Sequence, residues 1–456
     1  MSSVLKPLAG AVAPERLGWP FRWMFGAGFV MNLGDGVLIA AGPLLVAAQT
    51  RDPFLVSLAF FCEVLPSLVF GSFAGVVVDR LDRRRIVILV NLARAAILAL
   101  LSVAVATGSV NIALVLGALL VLGTAETFGD LAASSMLPRL VAREDIGLAN
   151  ARLQGSFLLT NQLVGPPIGA FLFAAGMAIP FAANAVAFAF GAVLVSRIAA
   201  SFGAPAETPA DASDDEPGPA SAGAGEPGAT MSVLRSVGTD LAEGVRWLRS
   251  HPPMRTLVLT IVAFNVTWGA AWSVLVLYAG DRLGMDSVGF GLLTTAMAIG
   301  GVIGTASYGR LERRFSLGDI MRVGLLIETL THLTLALTRS PAMALVTMVV
   351  FGMHAFVWGT TATTIRQRAV PDSLMGRVGG LYRVGVNAGI VIGTPIGGLL
   401  ARGFGITAPF WFAFVGSAVL VVLMWRQFGH IAHDDDEPPP EPASLAKPDG
   451  GTAPAT

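Results

Sequence analysis

Long apolar runs separated by short polar clusters dominate the chain. A helix that crosses a bilayer needs about 20 mostly apolar residues. Twelve stretches meet that condition: 21–48, 54–78, 86–107, 111–135, 153–175, 179–199, 255–280, 288–309, 317–338, 341–364, 378–402 and 407–428. They are too long and too closely spaced to be barrel strands, which take about 10 alternating residues each. The pattern predicts an all-α membrane protein with two six-helix bundles. Arginines in the connections alternate in density. One set holds Arg80, Arg83, Arg84 and Arg85, then Arg139 and Arg143, then Arg310, Arg313 and Arg314, then Arg366, Arg368 and Arg377. The other set holds Arg51, Arg282, Arg339 and Arg402, one in each connection. Basic excess marks the cytoplasmic side. The first set is therefore expected in the cytoplasm of a multi-pass cell-membrane protein, and an even number of spans puts both termini there too.

The apolar pattern breaks in the middle. Residues 203–230 are rich in Ala, Pro, Gly, Ser and acids, and bury too little apolar surface to order themselves. In residues 231–250, Val233, Leu234, Val237, Leu241, Val245 and Leu248 recur at helical spacing among Arg235, Asp240, Glu243, Arg246 and Arg249. This predicts an amphipathic helix lying on the membrane face. The tail after His430 is acidic and proline-rich, and reads as disordered. The chain thus divides into a cytoplasmic segment 1–20, a bundle 21–200, a linker 201–254, a second bundle 255–428 and a tail 429–456.

The two bundles share sequence. Gly75–Arg85 has a counterpart about 229 residues on, at Gly304–Arg314. Gly165-Pro166-Pro167-Ile168-Gly169 has one about 228 residues on, at Gly393-Thr394-Pro395-Ile396-Gly397. Two independent pairs at nearly one offset imply a duplicated six-helix unit. Such parallel repeats are related by an axis along the membrane normal.

Composition narrows the function classes. Charged residues make up 13% of the chain, against about 25% in soluble proteins. The net charge of zero gives no pull on nucleic acid. One cysteine, Cys62, rules out a disulfide within the chain. Five histidines without a His-x-x-x-His pair offer no metal site. The first twenty residues lack the apolar core of a signal peptide. No Walker loop, dinucleotide turn or serine elbow occurs, so neither an enzyme nor a cofactor is expected. Work must draw on an ion gradient.

These residues resemble the major facilitator superfamily. Gly75, Asp79, Arg80, Asp82, Arg83 and Arg84 look like its loop between helices 2 and 3, and Gly304 to Arg314 like the degenerate partner loop. Gly165, Pro166 and Gly169 are similar to its exporter motif in helix 5. Within the superfamily the chain resembles the macrolide-efflux-like and enterobactin-exporter-like branch. The carriers are Asn32-Leu33-Gly34-Asp35, Leu137-Pro138 with Leu140-Val141, Ala149-Asn150, Glu243-Gly244 with Arg246-Trp247-Leu248, and Gly376-Arg377-Val378. Two departures stand out. The fourth helix lacks the arginine of many proton-coupled drug exporters, and Asn161 replaces the upstream glycine of the helix-5 motif.

The resemblance implies a gate latch at Gly75 and Asp79, where positive-inside anchoring alone would account for the arginines. Gly304, Arg313 and Arg314 form the weaker partner. Acids at mid-membrane are costly, and mark function by default. Asp35, about 21 Å along the first helix, is the leading candidate for a proton or a cationic substrate. Backbone-bonded Asp35 is the competing reading. Glu63 in the second helix can share that work or serve as an interhelical contact. Glu126 and Asp130 are four apart on one helical face. Arg94 lies at a comparable depth, as a structural salt-bridge partner or a coupling element. Glu328 and His332 read as a local pair, and His354 as a satisfied histidine or a titrating cavity residue. Asn32, Gln162, Asn265, Trp268, Trp272, Trp358 and Asn387 are candidate cavity residues, and tryptophans there suit bulky or cationic cargo. Gly165, Pro166, Gly169, Gly393, Pro395 and Gly397 are expected to pack helices closely and bend them.

The expected function is secondary export of an amphipathic small molecule, such as a drug, an antibiotic or a siderophore, by a proton-coupled monomer in the lipid bilayer. Uptake by symport, and a non-transporting sensor or assembly factor with the same fold, stand as alternatives.

Overall fold

The computed structural model describes residues 15–198, 238 and 242–428. The linker 203–230, the predicted amphipathic stretch before 242 apart from Gly238, and the tail 429–456 lie outside the described residues. Residues 242–250 are helical.

Twelve helical segments follow in order. The N-terminal half contains α1 (Gly18–Gln49), α2 (Pro53–Arg80), α3 (Arg83–Ala106), α4 (Ile112–Met136), α5 and α6 (Ile179–Ser196). Helix α5 joins Ile146–Phe157, a π-helical Leu158–Val164, and Gly165–Ala175. The C-terminal half contains α7 (Pro252–Trp272), α8 (Ser287–Glu312), α9 (Leu317–Leu337), α10 (Pro341–Ala369), α11 (Asp372–Phe404) and α12 (Ala408–Met424). Eleven are long and apolar enough to cross a membrane. Helix α12, at 17 residues, spans about 25 Å. Local chemistry starts the helices where the sequence expects them. Asp52, Asp82, Asn111, Asp286, Ser316 and Ser340 each cap a first turn by accepting from backbone N–H groups.

The duplication is visible in backbone packing. A Cβ at Gly165 would stand 2.5 Å from Gly36 Cα on α1, and one at Gly169 would meet Val37. In the second half, Gly393 lies against Val266 of α7 and Gly397 against Ala270. Gly36 and Val266, met by the equivalent Gly165 and Gly393, are 230 positions apart (266 − 36), within one residue of the offset seen in the loops. The α1–α5 contact is thus repeated as α7–α11, with glycine letting two backbones touch.

Two helices depart from regular geometry. Pro166 and Pro167 have no N–H to offer the preceding turn, and the ladder ahead of them slips to π spacing. Helix α7 ends at Trp272, short of the expected span. Ser273 Oγ donates to Ala270 O at 3.1 Å and to Thr394 O of α11 at 3.2 Å. A short helical turn, Leu275–Leu277, and a π-helical Tyr278–Arg282 follow.

The halves meet along α2–α11 and α5–α8. Gly398 of α11 sits against Phe54 and Ser57 of α2, and Gly291 of α8 against Ala170 and Pro166. Two ion pairs join the halves at the arginine-poor end: Arg51 with Asp281 at 3.3 Å, and Arg402 with Asp52 at 3.6 Å. At the arginine-rich end the same helices part around a cavity of about 590 Å³.

Candidate functional site

Between the halves lies a second cavity of about 230 Å³. Phe60 and Glu63 come from α2, Gln162 and Pro166 from α5, Trp268 and Trp272 from α7. Trp268 stacks on Trp272 with ring centres 5.2 Å apart, and takes the edge of Phe60 at 5.8 Å. The wall is therefore aromatic, with one carboxylate. The larger cavity at the arginine-rich end is lined by Ser67, Asp130, Arg383 and Asn387 among others. Asn387 Nδ2 donates to Ser67 Oγ at 3.0 Å, tying α11 to α2.

Three expected cavity residues point elsewhere. Asn265 is buried, and its Nδ2 donates to Ile261 O at 2.7 Å within α7. Trp358 is buried, stacked on Phe264 at 5.8 Å and packed against Gly324. His354 reaches Glu328 of α9. The cause is a glycine seam. Gly300 and Gly304 of α8 press on Val349 and Met353 of α10. That contact occupies one side of α10 and turns His354 and Trp358 toward α9 and α7.

A charged cluster fills the N-terminal half. Arg94 on α3 is 5% exposed. Its Nη2 donates to Asp35 Oδ1 and stands 3.8 Å from Glu126 Oε2. Its guanidinium carbon lies 4.0 Å from the centre of the Phe188 ring, a cation–π contact with α6. Its Nε has no protein partner. Asn32, Asp35, Arg94 and Asp130 line a cavity of about 180 Å³ inside this bundle. Asp130 and Ser134 line both this cavity and the larger one between the halves. Glu63 lies within Coulombic reach of Asp35 and Arg94.

Asn32, expected on a cavity wall between the halves, is not on one, and neither is Asp35. Both look into their own bundle, where Asp35 is held by Arg94. Sequence reasoning placed Arg94 beside Glu126 and Asp130 but missed Asp35 as its main partner. A buried guanidinium needs a carboxylate at its own depth. Spacing along the chain does not say which helix supplies it. Chemically, one cation faces several carboxylates, so the cluster can take up a proton without leaving bare positive charge.

At the arginine-rich end, Asp82 caps α3 by accepting from Arg84 N at 2.9 Å and Arg85 N at 3.2 Å. The Arg84 side chain donates to Val195 O at 3.4 Å and to Ser196 O, holding the end of α6. Arg80, Arg313 and Arg314 are exposed, and Arg83 is half-buried. The side chain of Asp79 lies outside the described residues. A Cβ at Gly75 would meet nothing within 4 Å, whereas one at Gly304 would strike Met353. Among the described residues, no group of three His, Cys, Asp or Glu is arranged to hold a metal.

Known proteins share this plan. The enterobactin exporter EntS of Shigella boydii is 25% identical over 431 residues, covering 89% of this chain and 92% of that protein. The multidrug efflux pump Tap of Mycolicibacterium fortuitum is 27% identical over 402 residues, covering 86% and 91%. Among solved structures, a bacterial homologue of the iron transporter ferroportin in an inward-facing state superposes with a TM-score of 0.65 at 16% identity, covering 91% of this chain and 98% of that one. The nucleoside transporter NupG gives 0.63 at 11%, covering 91% and 99%, and these two likenesses speak for the fold alone. The family model described as Major Facilitator Superfamily matches residues 24–387 and, overlapping them, 257–455. With duplicated bundles, a cavity between them and that match, this multi-pass membrane protein belongs to the Major Facilitator Superfamily.

Proposed function

We propose that this transporter is a secondary exporter that moves an amphipathic small molecule, cationic by preference, in exchange for protons. The observation that carries the reading is the cavity between the halves, which Phe60, Trp268, Trp272 and Glu63 line together. Aromatic faces and one acid attract a flat or greasy cation. Tap and EntS, both named as exporters, support the direction of transport. We assign the arginine-rich end and both termini to the cytoplasm by the positive-inside rule. The shape described above is then inward-facing: sealed at Arg51–Asp281 and Arg402–Asp52, and open through the larger cavity. The divisions at 21–200 and 255–428 become the two rocking bodies of a monomer.

Proton coupling is assigned to the cluster of Asp35, Arg94, Glu126 and Asp130. Asp130 stands on the walls of both the bundle cavity and the open one, so a proton from the cytoplasmic cavity has a short way in. Gly75 and Asp79 serve as the latch in this scheme. The test is ethidium transport in proteoliposomes of the full chain under an imposed pH gradient. Gradient-driven ethidium movement in wild type, lost in Asp35→Asn, is expected. Movement that ignores the gradient, or survives unchanged in the variant, overturns the coupling assignment.

A further inference from the structure

Midway along α9 and α10, three titratable side chains meet in the interior of the C-terminal half. Glu328 is fully buried, and His332 and His354 are at most 4% exposed. Glu328 lies 11 residues into the 21-residue α9 (328 − 317), about 17 Å along a helix of about 32 Å. One carboxylate oxygen is 2.7 Å from His332 Nε2 and the other is 3.2 Å from His354 Nε2. An ionised carboxylate only accepts, so each ring offers it an Nε2–H. Nδ1 is then the free nitrogen of each ring, and neither Nδ1 has a protein partner.

Charge arithmetic sets what this arrangement holds. With both rings neutral the group carries one net negative charge, and with both protonated one net positive charge. One added proton on the pair gives zero, the state that a water-poor interior favours. Among the described residues, no other ionisable group of the helices packed around it lies at this depth. Helix α12 brings no ionisable side chain. Helix α8 brings Tyr308, Arg310 and Glu312 only near its arginine-rich end, and α10 brings Arg366 and Arg368 there. On α9 itself Asp319 and Arg322 pair with each other at 3.1 Å. Helix α7 brings Arg255 only near its arginine-rich end; beyond it, Tyr278 donates its hydroxyl to Leu335 O at 2.6 Å, and Arg282 donates to Ala336, Leu337 and Thr338 O at the arginine-poor end of α9.

The two free nitrogens have separate surroundings. His354 lines a cavity of about 240 Å³ that runs to the exposed Phe315 and Asp319 at the arginine-rich end. Gly324 keeps that approach clear, since a Cβ there would stand 3.0 Å from His354 Nδ1. His332 borders a small apolar space of about 20 Å³ behind Trp268 and Trp272. Those two tryptophans are also the wall of the cavity between the halves.

We propose that Glu328, His332 and His354 form a second proton-binding site, in the C-terminal half. The lone pair of an Nδ1 accepts the proton, that ring becomes an imidazolium, and its Nε2–H stays on the carboxylate. The site lies one layer of tryptophan away from the cavity, so its charge acts on cargo there. This extends the coupling assigned to the N-terminal cluster and rests on the export reading only for its use. The proton site itself stands on geometry.

The test is NMR of the full chain in nanodiscs with 15N-labelled histidine, titrated from about pH 5 to about pH 9, a range that brackets ordinary histidine titration. Two of the ring signals are expected to titrate as one unit. His332→Gln should then move the midpoint of His354 by about one pH unit or more, as coupled sites do. Glu328→Gln should remove the imidazolium signal that wild type shows at the same pH. Should Glu328→Gln not fold, His354→Gln read at His332 gives the reciprocal measurement. A midpoint at one ring indifferent to loss of the other, or rings that take up no proton over the whole range, overturns the proposal. Ethidium movement that ignores a pH gradient while the shared titration persists would overturn the export reading and leave this site standing.

Discussion

The two halves share their backbone contacts and differ in their polar interiors. The glycines of α5 and α11 press on α1 and α7 at equivalent positions. Yet the offset of 229 seen in the loops carries Asp35 onto Phe264 and Arg94 onto Val323. Where the first half has an ion pair, the second has the stack of Phe264 on Trp358. Its own ionisable group sits elsewhere, at Glu328. Duplication thus kept the contacts that set helix distances and left the buried charge free to diverge. The N-terminal cluster opens through Asp130 to the space between the halves, whereas Trp268 and Trp272 stand between that space and the C-terminal group.

The sharpest way to break this comparison is to remove its cation. Arg94→Met leaves Asp35 and Glu126 without a counter-charge, and breaking such a buried pair costs about 3–5 kcal/mol. A large fall in melting temperature and in monodisperse yield of the purified protein is expected. Trp358→Leu removes a stack worth about 0.5–1.5 kcal/mol beyond its area. It should cost clearly less, and equal losses would mean that the halves do not differ as described.

The two loop glycines come next. Gly304→Leu drives a side chain into Met353 and should destabilise by about 1–3 kcal/mol, read as a lower melting temperature. Gly75→Leu meets open space in this conformation and should leave melting unchanged while stopping ethidium transport, because the arginine-rich end then cannot close. Transport at wild-type rates in Gly75→Leu would remove Gly75 from the gate. A smaller effect is expected on the cavity wall. Trp268→Ala should weaken ethidium binding by about 1 kcal/mol, roughly fivefold, in a fluorescence titration. The smallest concerns the outer seal. Asp281→Asn removes an exposed pair with Arg51, worth at most about 1 kcal/mol, and its effect on the inward-to-outward ratio should fade at high salt.

Much of this was legible in the chain. Span lengths, arginine alternation and the repeated Gly-Pro motif predict the helices and the pairing of bundles, because hydropathy and glycine packing act locally. Trp268, Trp272 and Gln162 line the cavity between the halves, and Asn387 the larger one. What periodicity did not convey is helix rotation. His354 and Trp358 turned inward because the contact of Gly300 and Gly304 with α10, made between distant segments, fixes which side of that helix is left for α9 and α7, and Asn265 turned because Gly389 of α11 lies against its Cβ. The partnership of Asp35 with Arg94 was hidden for the same reason. So was the joining of His354 to Glu328 and His332: two residues four apart announce themselves, but the third comes from another helix.

The π-helical Leu158–Val164 has a mechanical consequence. A π turn houses one residue more than an α turn, so it behaves as a loose link between two stiff rods. The rod below it, Ile146–Phe157, belongs to the arginine-rich end. The rod above it, Gly165–Ala175, is clamped on α1 by glycine and on α8 through Ala170. Taking the extra residue up into the α-helical ladder would turn one rod against the other by about 100°. Helix α5 thus carries a spare residue at the level of Gln162 and Pro166, on the wall of the cavity, with both of its rods packed on α1.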